Sequence, residues 1–282
     1  MAIRDIVFHL DTQGAGQAAS DFALSLAAST GAHLTAAGLA ILYAPMTMTG
    51  GSYGGGVDFG MVDAFAELTE RSRKAAKEAY ERLAKTAPAQ LHAEFVTIET
   101  LPELVGDEFG RLARRFDFSI VGQATPGSAD HEARLIAGAL FNSGRPVFVV
   151  PSRRQGPAKL GKAIVCWDGG APAARAVAEA LPLLALAQSV EVLCVQDEKY
   201  APGRPTGAEI VRRLDRHGIA SALREIPSGA EVGATILAHA EESGADFVVM
   251  GAYGHWRLRE LIFGGTTRSL LASTTVPLFL TH

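Results

Sequence analysis

The residues with the clearest capacity for chemistry lie near the C-terminus. A short apolar run, Phe247-Val248-Val249-Met250, ends in Gly251-Ala252-Tyr253-Gly254, and after nine further residues comes Gly264-Gly265-Thr266-Thr267. The run is too short for a free-standing helix and reads as a buried parallel strand. Gly251 and Gly254 stand where that strand gives way to a loop, and backbone without a Cβ lets a ligand approach closely. Thr266 and Thr267 are good N-cap residues for residues 268–272, so a helix start with unpaired N–H groups is expected there. Such an end attracts anions, phosphate above all. Glycines alone would mark no more than tight βα turns. Buried strand, spaced glycines and a hydroxyl-capped helix together lift the functional reading, an anion site, above that of plain turns. His255, Arg257 and Arg259 lie in the intervening loop, either facing phosphate oxygens or solvated.

The spacing Gly251, two residues, Gly254, nine residues, Gly264, then a hydroxyl residue and later Val276-Pro277 before an apolar strand, resembles the nucleotide-binding signature of universal stress proteins. The resemblance implies an adenine nucleotide: ATP, with AMP or ADP as alternatives, and magnesium only as the companion of ATP. It assigns Asp168 to the adenine or ribose neighbourhood and Val195 to a wall of the adenine. Met250, Gly251, Gly254, Gly264, Gly265 and Thr266 fall to the nucleotide and its phosphates. One departure stands out, because Gly265 follows Gly264 directly and the hydroxyl comes one place later. Asp168 also follows a strand, where an N-cap is an equal alternative.

These loops need a sheet behind them, and the chain supplies one twice. Residues 6–11 form a short strand ending in Asp11. A helix over 17–30 with Gly31 as its C-cap follows, then a strand over 34–42. Residues 45–60, with five glycines between Gly50 and Gly56, read as a surface loop or, less strongly, a flap. A charged amphipathic helix over 61–87 comes next, with Glu67/Arg71 and Glu78/Arg82 at i,i+4 spacing. Then come a strand over 92–97, a helix over 101–115, and strands over 118–121 and 146–151.

The pattern restarts at 163–168, which ends in Asp168, and runs through a helix over 171–186, a strand over 190–195, a short helix over 210–217 and a strand over 220–226. Residues 103–122 match 231–251 most closely, with Asp117-Phe118 against Asp246-Phe247. Alternating strands and helices predict parallel sheets with right-handed crossovers. The expected fold is two tandem open α/β sandwich domains, each with a mostly five-stranded parallel sheet, over 1–151 and 163–282, joined by a linker over 152–162. The resemblance covers both units and implies that they pair with one another; a homodimer of such chains is also allowed.

The first unit departs from the motif. Gly122 is followed by Gln123, Ala124 and Thr125, and Gly138 has no adjacent hydroxyl. No ATP binding by the family mode is expected there, and the phosphate-facing helix is expected to be shortened or missing.

Composition closes off other classes. The 282 residues are 48% hydrophobic and 20% charged, with a net charge of -4, which gives no basic footprint for nucleic acid. No apolar stretch reaches membrane-spanning length. Two cysteines, Cys166 and Cys194, make no disulfide framework, and a cytoplasmic location is expected. The eight histidines show no metal-ligand spacing, and there is neither a P-loop nor a nucleophile elbow. Trp167 and Trp256 are each of a type that can shield an adenine face, and for Trp167, which belongs to a buried strand, core or interface packing is the favoured reading. The function expected is a nucleotide-dependent switch or binding protein of the stress response, with at most slow ATP hydrolysis. The alternatives are a non-nucleotide interaction module of the same fold, favoured by Gly265 in the hydroxyl position, and a small-molecule hydrolase.

Overall fold

The structure is a computed structural model and describes residues 2–12, 16–43, 59–88, 91, 93–124, 131–196, 205–227, 231–252, 270–271 and 273–282. The glycine- and methionine-rich segment falls mostly outside them. The first half contains β1 (Asp5–Leu10), α1 (Gln17–Thr30), β2 (His33–Ile41), α2 (Phe59–Thr86), β3 (Ala93–Thr100), α3 (Val105–Ala113), β4 (Phe118–Gly122), α4 (His131–Asn142) and β5 (Val147–Val150). The second half contains β6 (Lys162–Cys166), α5 (Ala171–Leu184), β7 (Ser189–Gln196), α6 (Gly207–Arg216), β8 (Ser221–Pro227), α7 (Val232–Glu242), β9 (Phe247–Gly251) and β10 (Leu278–Thr281).

All ten strands form a single sheet in the order β3-β2-β1-β4-β5-β10-β9-β6-β7-β8. Each half is parallel and doubly wound. The halves meet through one antiparallel pair, with Phe148 opposite Phe279 and Val149 opposite Leu278. The expected two five-stranded sheets are therefore joined edge to edge, and each half's inner edge finds its hydrogen bonds in the other. Phe148 is the centre of this seam, its ring 5.0 Å from Phe279, 5.2 Å from Phe22, 5.6 Å from Phe118 and 6.1 Å from Phe247.

Two apolar layers cover the sheet, one per face, and both run across the seam. Helices α1, α2, α5 and α6 lie on the face that carries Phe8, Phe148, Trp167 and Phe279. Helices α3, α4 and α7, with Leu270 and Leu271, cover the face of Val7, Val149, Val248 and Met250. Period-2 alternation along each buried strand supplies both faces, which is why the strands read as continuous apolar runs. Residues 152–161 are no loose connection. The Ala158 N–H donates to Ser25 Oγ at 2.6 Å, the Arg154 guanidinium lies 5.1 Å from the Phe22 ring, and Ala158 and Leu160 pack on the first face.

The halves repeat down to single hydrogen bonds. The Asp117 carboxylate accepts from the Arg4 and Asp5 N–H groups, and Asp246 accepts from the Lys162 N–H at 2.9 Å, so each Asp anchors the start of its unit's first strand. Ser143 accepts from the Arg145 N–H, as Thr274 accepts from the Val276 N–H, in the same turn before the last strand. One expectation is corrected. The helix thought shortened or missing in the first half is α4, twelve residues long, with Gly138 in its interior. Gly138 is small because α3 crosses there: a Cβ on it would overlap the Gly106 carbonyl oxygen, and one on Gly106 would overlap the Arg134 carbonyl. The packing of two helices, rather than a phosphate, accounts for that glycine.

Candidate functional site

In the second half the strand order reverses between β6 and β9, because the chain leaves β6 toward β7 and returns on the other side at β9. Ligands of open parallel sheets sit outside the carboxyl ends of the strands at such a reversal. Asp168 follows β6 there and Gly251 ends β9. The Trp167 N–H still donates to Leu193 O at 2.9 Å, which carries the β6–β7 ladder to the loop and brings Val195 to the same edge. Cys166, Val195 and Met250 share the second apolar face, with Met250 buried and Val195 half-buried. Trp167 turns to the opposite face and is buried, its indole N–H donating to Pro205 O at 2.8 Å.

The turn after Trp167 is built from residue types that permit it. The Asp168 side chain is exposed, and its Oδ1 accepts from the Gly170 N–H at 2.8 Å. Gly169 has φ +70°, a left-handed conformation that glycine adopts without steric cost. Gly170 is the N-cap of α5 and offers no side chain to its first-turn N–H groups. Asp168 is therefore not the N-cap itself. It accepts from the residue two positions on, whereas Asp11 in the first half accepts from the Gly16 N–H, five positions on, at 2.7 Å. An exposed carboxylate, an uncapped helix start and two strand ends thus converge at one point.

Gly251 has a second reason to be glycine, because a Cβ there would overlap the Ala173 nitrogen and the Pro172 carbonyl carbon. The first turn of α5 lies directly against the end of β9. Gly254, Gly264, Gly265 and Thr266 lie outside the described residues, as do Trp256, His255, Arg257 and Arg259.

The first half has the same reversal between β1 and β4, and two features there leave no mark in the local sequence. Gln123 follows Gly122, where the second half has Ala252 after Gly251. Its Nε2 donates to Leu271 O at 3.0 Å and Thr274 O at 3.3 Å, and its Oε1 accepts from the Ser152 N–H at 3.2 Å. It clamps the first half to the helical end that precedes β10. No local signal could reveal this, since the partners are about 150 residues away in the chain. Beside it lies a cavity of about 40 Å³ whose lining includes His9, Asp11 and Glu132. Burial pushes the His9 imidazole down to about 4, with Asp11 working against and His131 with that shift.

The two thiols are inert by environment. Burial pushes Cys166 up to about 12 and Cys194 up to about 11. They face opposite sides of the sheet and are both free. Among the described residues no helix is long and apolar enough to cross a membrane.

Residues 160–282 match the model of the universal stress protein family. A curated universal stress protein of Synechocystis sp. is 40% identical over 42 residues, a stretch that is 15% of this chain and 15% of that protein's length. A universal stress protein from Archaeoglobus fulgidus superposes with a TM-score of 0.68 at 17% identity, covering 98% of this chain and 95% of that one. A functionally unknown protein from Pseudomonas aeruginosa gives 0.55 at 15% identity, covering 99% and 92%. At these identities the two solved structures establish the shared fold along nearly the whole chain.

Proposed function

We propose, from the match of residues 160–282 to the universal stress protein family model, that the chain is a member of that family acting as a nucleotide-dependent switch or binding protein of the stress response. Its C-terminal unit, residues 163–282, holds one adenine nucleotide, ATP first and AMP or ADP otherwise, with magnesium accompanying ATP. The observation that carries this reading is the convergence at the β6–β9 reversal. An exposed Asp168 and the uncapped start of α5 face Gly251 there, at the head of the glycine spacing that continues through Gly254, Gly264, Gly265 and Thr266. Asp168 suits ribose or base polar groups, the Val195 and Met250 side chains an apolar base, and unpaired N–H groups a phosphate.

Residues 1–151, with the segment 152–162, serve as the pseudo-symmetric partner. Gln123 fills the place after Gly122 and points to the other half instead of leaving room for a nucleotide. Hydrolysis, if any, is slow. The surface, with net charge -4, offers nucleic acid nothing, and a cytoplasmic protein fits thiols that cannot bridge across the sheet.

The second reading, an interaction module without nucleotide, is favoured by Gly251, whose bare Cα the contact with Pro172 already accounts for, and by Gly265. The two separate on one experiment. Freshly purified protein is heat-denatured and released nucleotide identified by chromatography, and ATP is then titrated calorimetrically into wild type and Gly254→Val. Near one site per chain, lost in the variant, is expected. Neither released nucleotide nor heat of binding would establish the interaction module instead.

A further inference from the structure

The cavity of the first half carries chemistry that the nucleotide reading does not use. Its polar lining is His9, Asp11, Gln123, Glu132 and Ser152, at the ends of β1, β4 and β5 and the starts of α1 and α4. His9 is 8% exposed and meets the Phe109 ring edge-on at 6.4 Å, and no hydrogen bond to it is formed among the described residues. Glu132 Oε2 is buried without a hydrogen-bond partner. Buried polar atoms are nearly always paired, because an unpaired one costs about 1–3 kcal/mol. Glu132 is one of the walls of this cavity and carries such an atom, and the His9 ring stands on the same cavity, which calls for an occupant.

The chemistry of the walls selects it. Burial keeps His9 neutral at physiological pH, so one ring nitrogen is an acceptor. Glu132 and Asp11 add two carboxyl groups, and Asp11 Oδ2 already takes the Gly16 N–H. The N-termini of α1 and α4 offset roughly half a charge each, which leaves the cavity negative. An anion is repelled. A directly coordinated metal ion needs its ligands within about 2.0–2.6 Å of one point, and among the described residues no three His, Cys, Asp or Glu side chains are so grouped. Charge-assisted hydrogen bonds, at about 2.7–2.9 Å, let the acceptors stand farther apart. A volume of about 40 Å³ admits only a few water-sized atoms, since one water takes about 10–15 Å³ on this measure.

We propose that this pocket binds a small primary ammonium group, the ammonium ion or the head of a short amine, which donates to Glu132 Oε2 and to the His9 ring nitrogen while Asp11 balances its charge. An ammonium has three donors and no acceptor, the complement of these walls. The half that lost the nucleotide motif thus holds a site of opposite charge preference.

The test uses the full chain labelled at histidine ring carbons. The His9 ring signal, assigned by its disappearance in His9→Phe, is followed by NMR as methylammonium chloride is titrated against sodium chloride at constant ionic strength. A saturable shift with methylammonium alone is expected, weakened about tenfold in Glu132→Gln, whose site is the first turn of α4 and whose fold circular dichroism checks. A shift that never saturates, that sodium reproduces, or that survives unchanged in Glu132→Gln overturns the proposal, and the pocket then holds ordered water only.

Discussion

His9 should make the stability of this protein fall steeply in mild acid. Its imidazole titrates near 6.5 in an unfolded chain and is held down to about 4 here, chiefly by burial. Between those values the unfolded chain binds a proton that the folded one does not, so unfolding becomes more favourable as pH falls. The contribution of His9 is constant above about pH 6.5, declines through the window, and is fully lost below about pH 4. Each pH unit of that gap corresponds to about 1.4 kcal/mol, so the total is about 3 kcal/mol. That is a large part of the 5–15 kcal/mol typical of a folded domain.

Asp11 and Glu132 line the same cavity, and Asp11 and His131 act electrostatically on His9, so any variant's profile includes these neighbours. The comparison that isolates His9 is therefore wild type against His9→Phe, which keeps an aromatic ring against Phe109. Urea unfolding at a series of pH values from 7.5 to 4 measures it. The variant should carry a constant offset near neutrality and then lose about 3 kcal/mol less than wild type by pH 4. Parallel profiles would refute the reasoning, because a ring that takes up its proton equally in both states contributes nothing to the slope.

Other outcomes test the packing and the seam. Gly138→Ala should destabilise by about 1–3 kcal/mol or more and lower the melting temperature, since its Cβ would overlap the Gly106 carbonyl and force α3 and α4 apart; an unchanged melting temperature would mean that the helices do not cross this closely. Gln123→Ala removes a donor from Leu271 O and Thr274 O and an acceptor from the Ser152 N–H. A loss of about 1–3 kcal/mol is expected, with faster hydrogen exchange at Ser152 and around Thr274 and none at β2. Cys166 and Cys194, with thiols pushed up to about 12 and about 11, should not react with an aromatic disulfide reagent at pH 8 until denaturant is added.

Much of the fold is legible in the chain because its signals are local. Residues 17–30 announce α1, with Gly31 as a left-handed C-cap at φ +67°, through spacing and one glycine, and neither depends on distant contacts. The apolar runs of β1, β5, β6 and β9 declare buried parallel strands, and the repeated Asp-Phe pair marks the same strand start in both halves. The glycine spacing behind the proposed nucleotide site is local too, being a strand end, its glycines and a hydroxyl within twenty residues. Residues 131–142 do not announce α4, because the glycine inside them, Gly138, finds its reason only where α3 and α4 cross, as do Gly106 and Gly110.

What tertiary structure alone decided is of one kind: pairing between groups far apart in sequence. That Phe148 faces Phe279 and fuses two sheets into one depends on an edge-to-edge choice that alternation cannot specify, since any two apolar edge strands could pair. That Gln123 reaches Leu271 and Thr274, and that His9 and Glu132 open on one cavity, follows from that choice and from helix packing. Residue types set the strands, the turns and the C-terminal glycine spacing because backbone sterics act over a few residues. The seam, the clamp and the small negative cavity exist only because folding brings together side chains that share no local constraint.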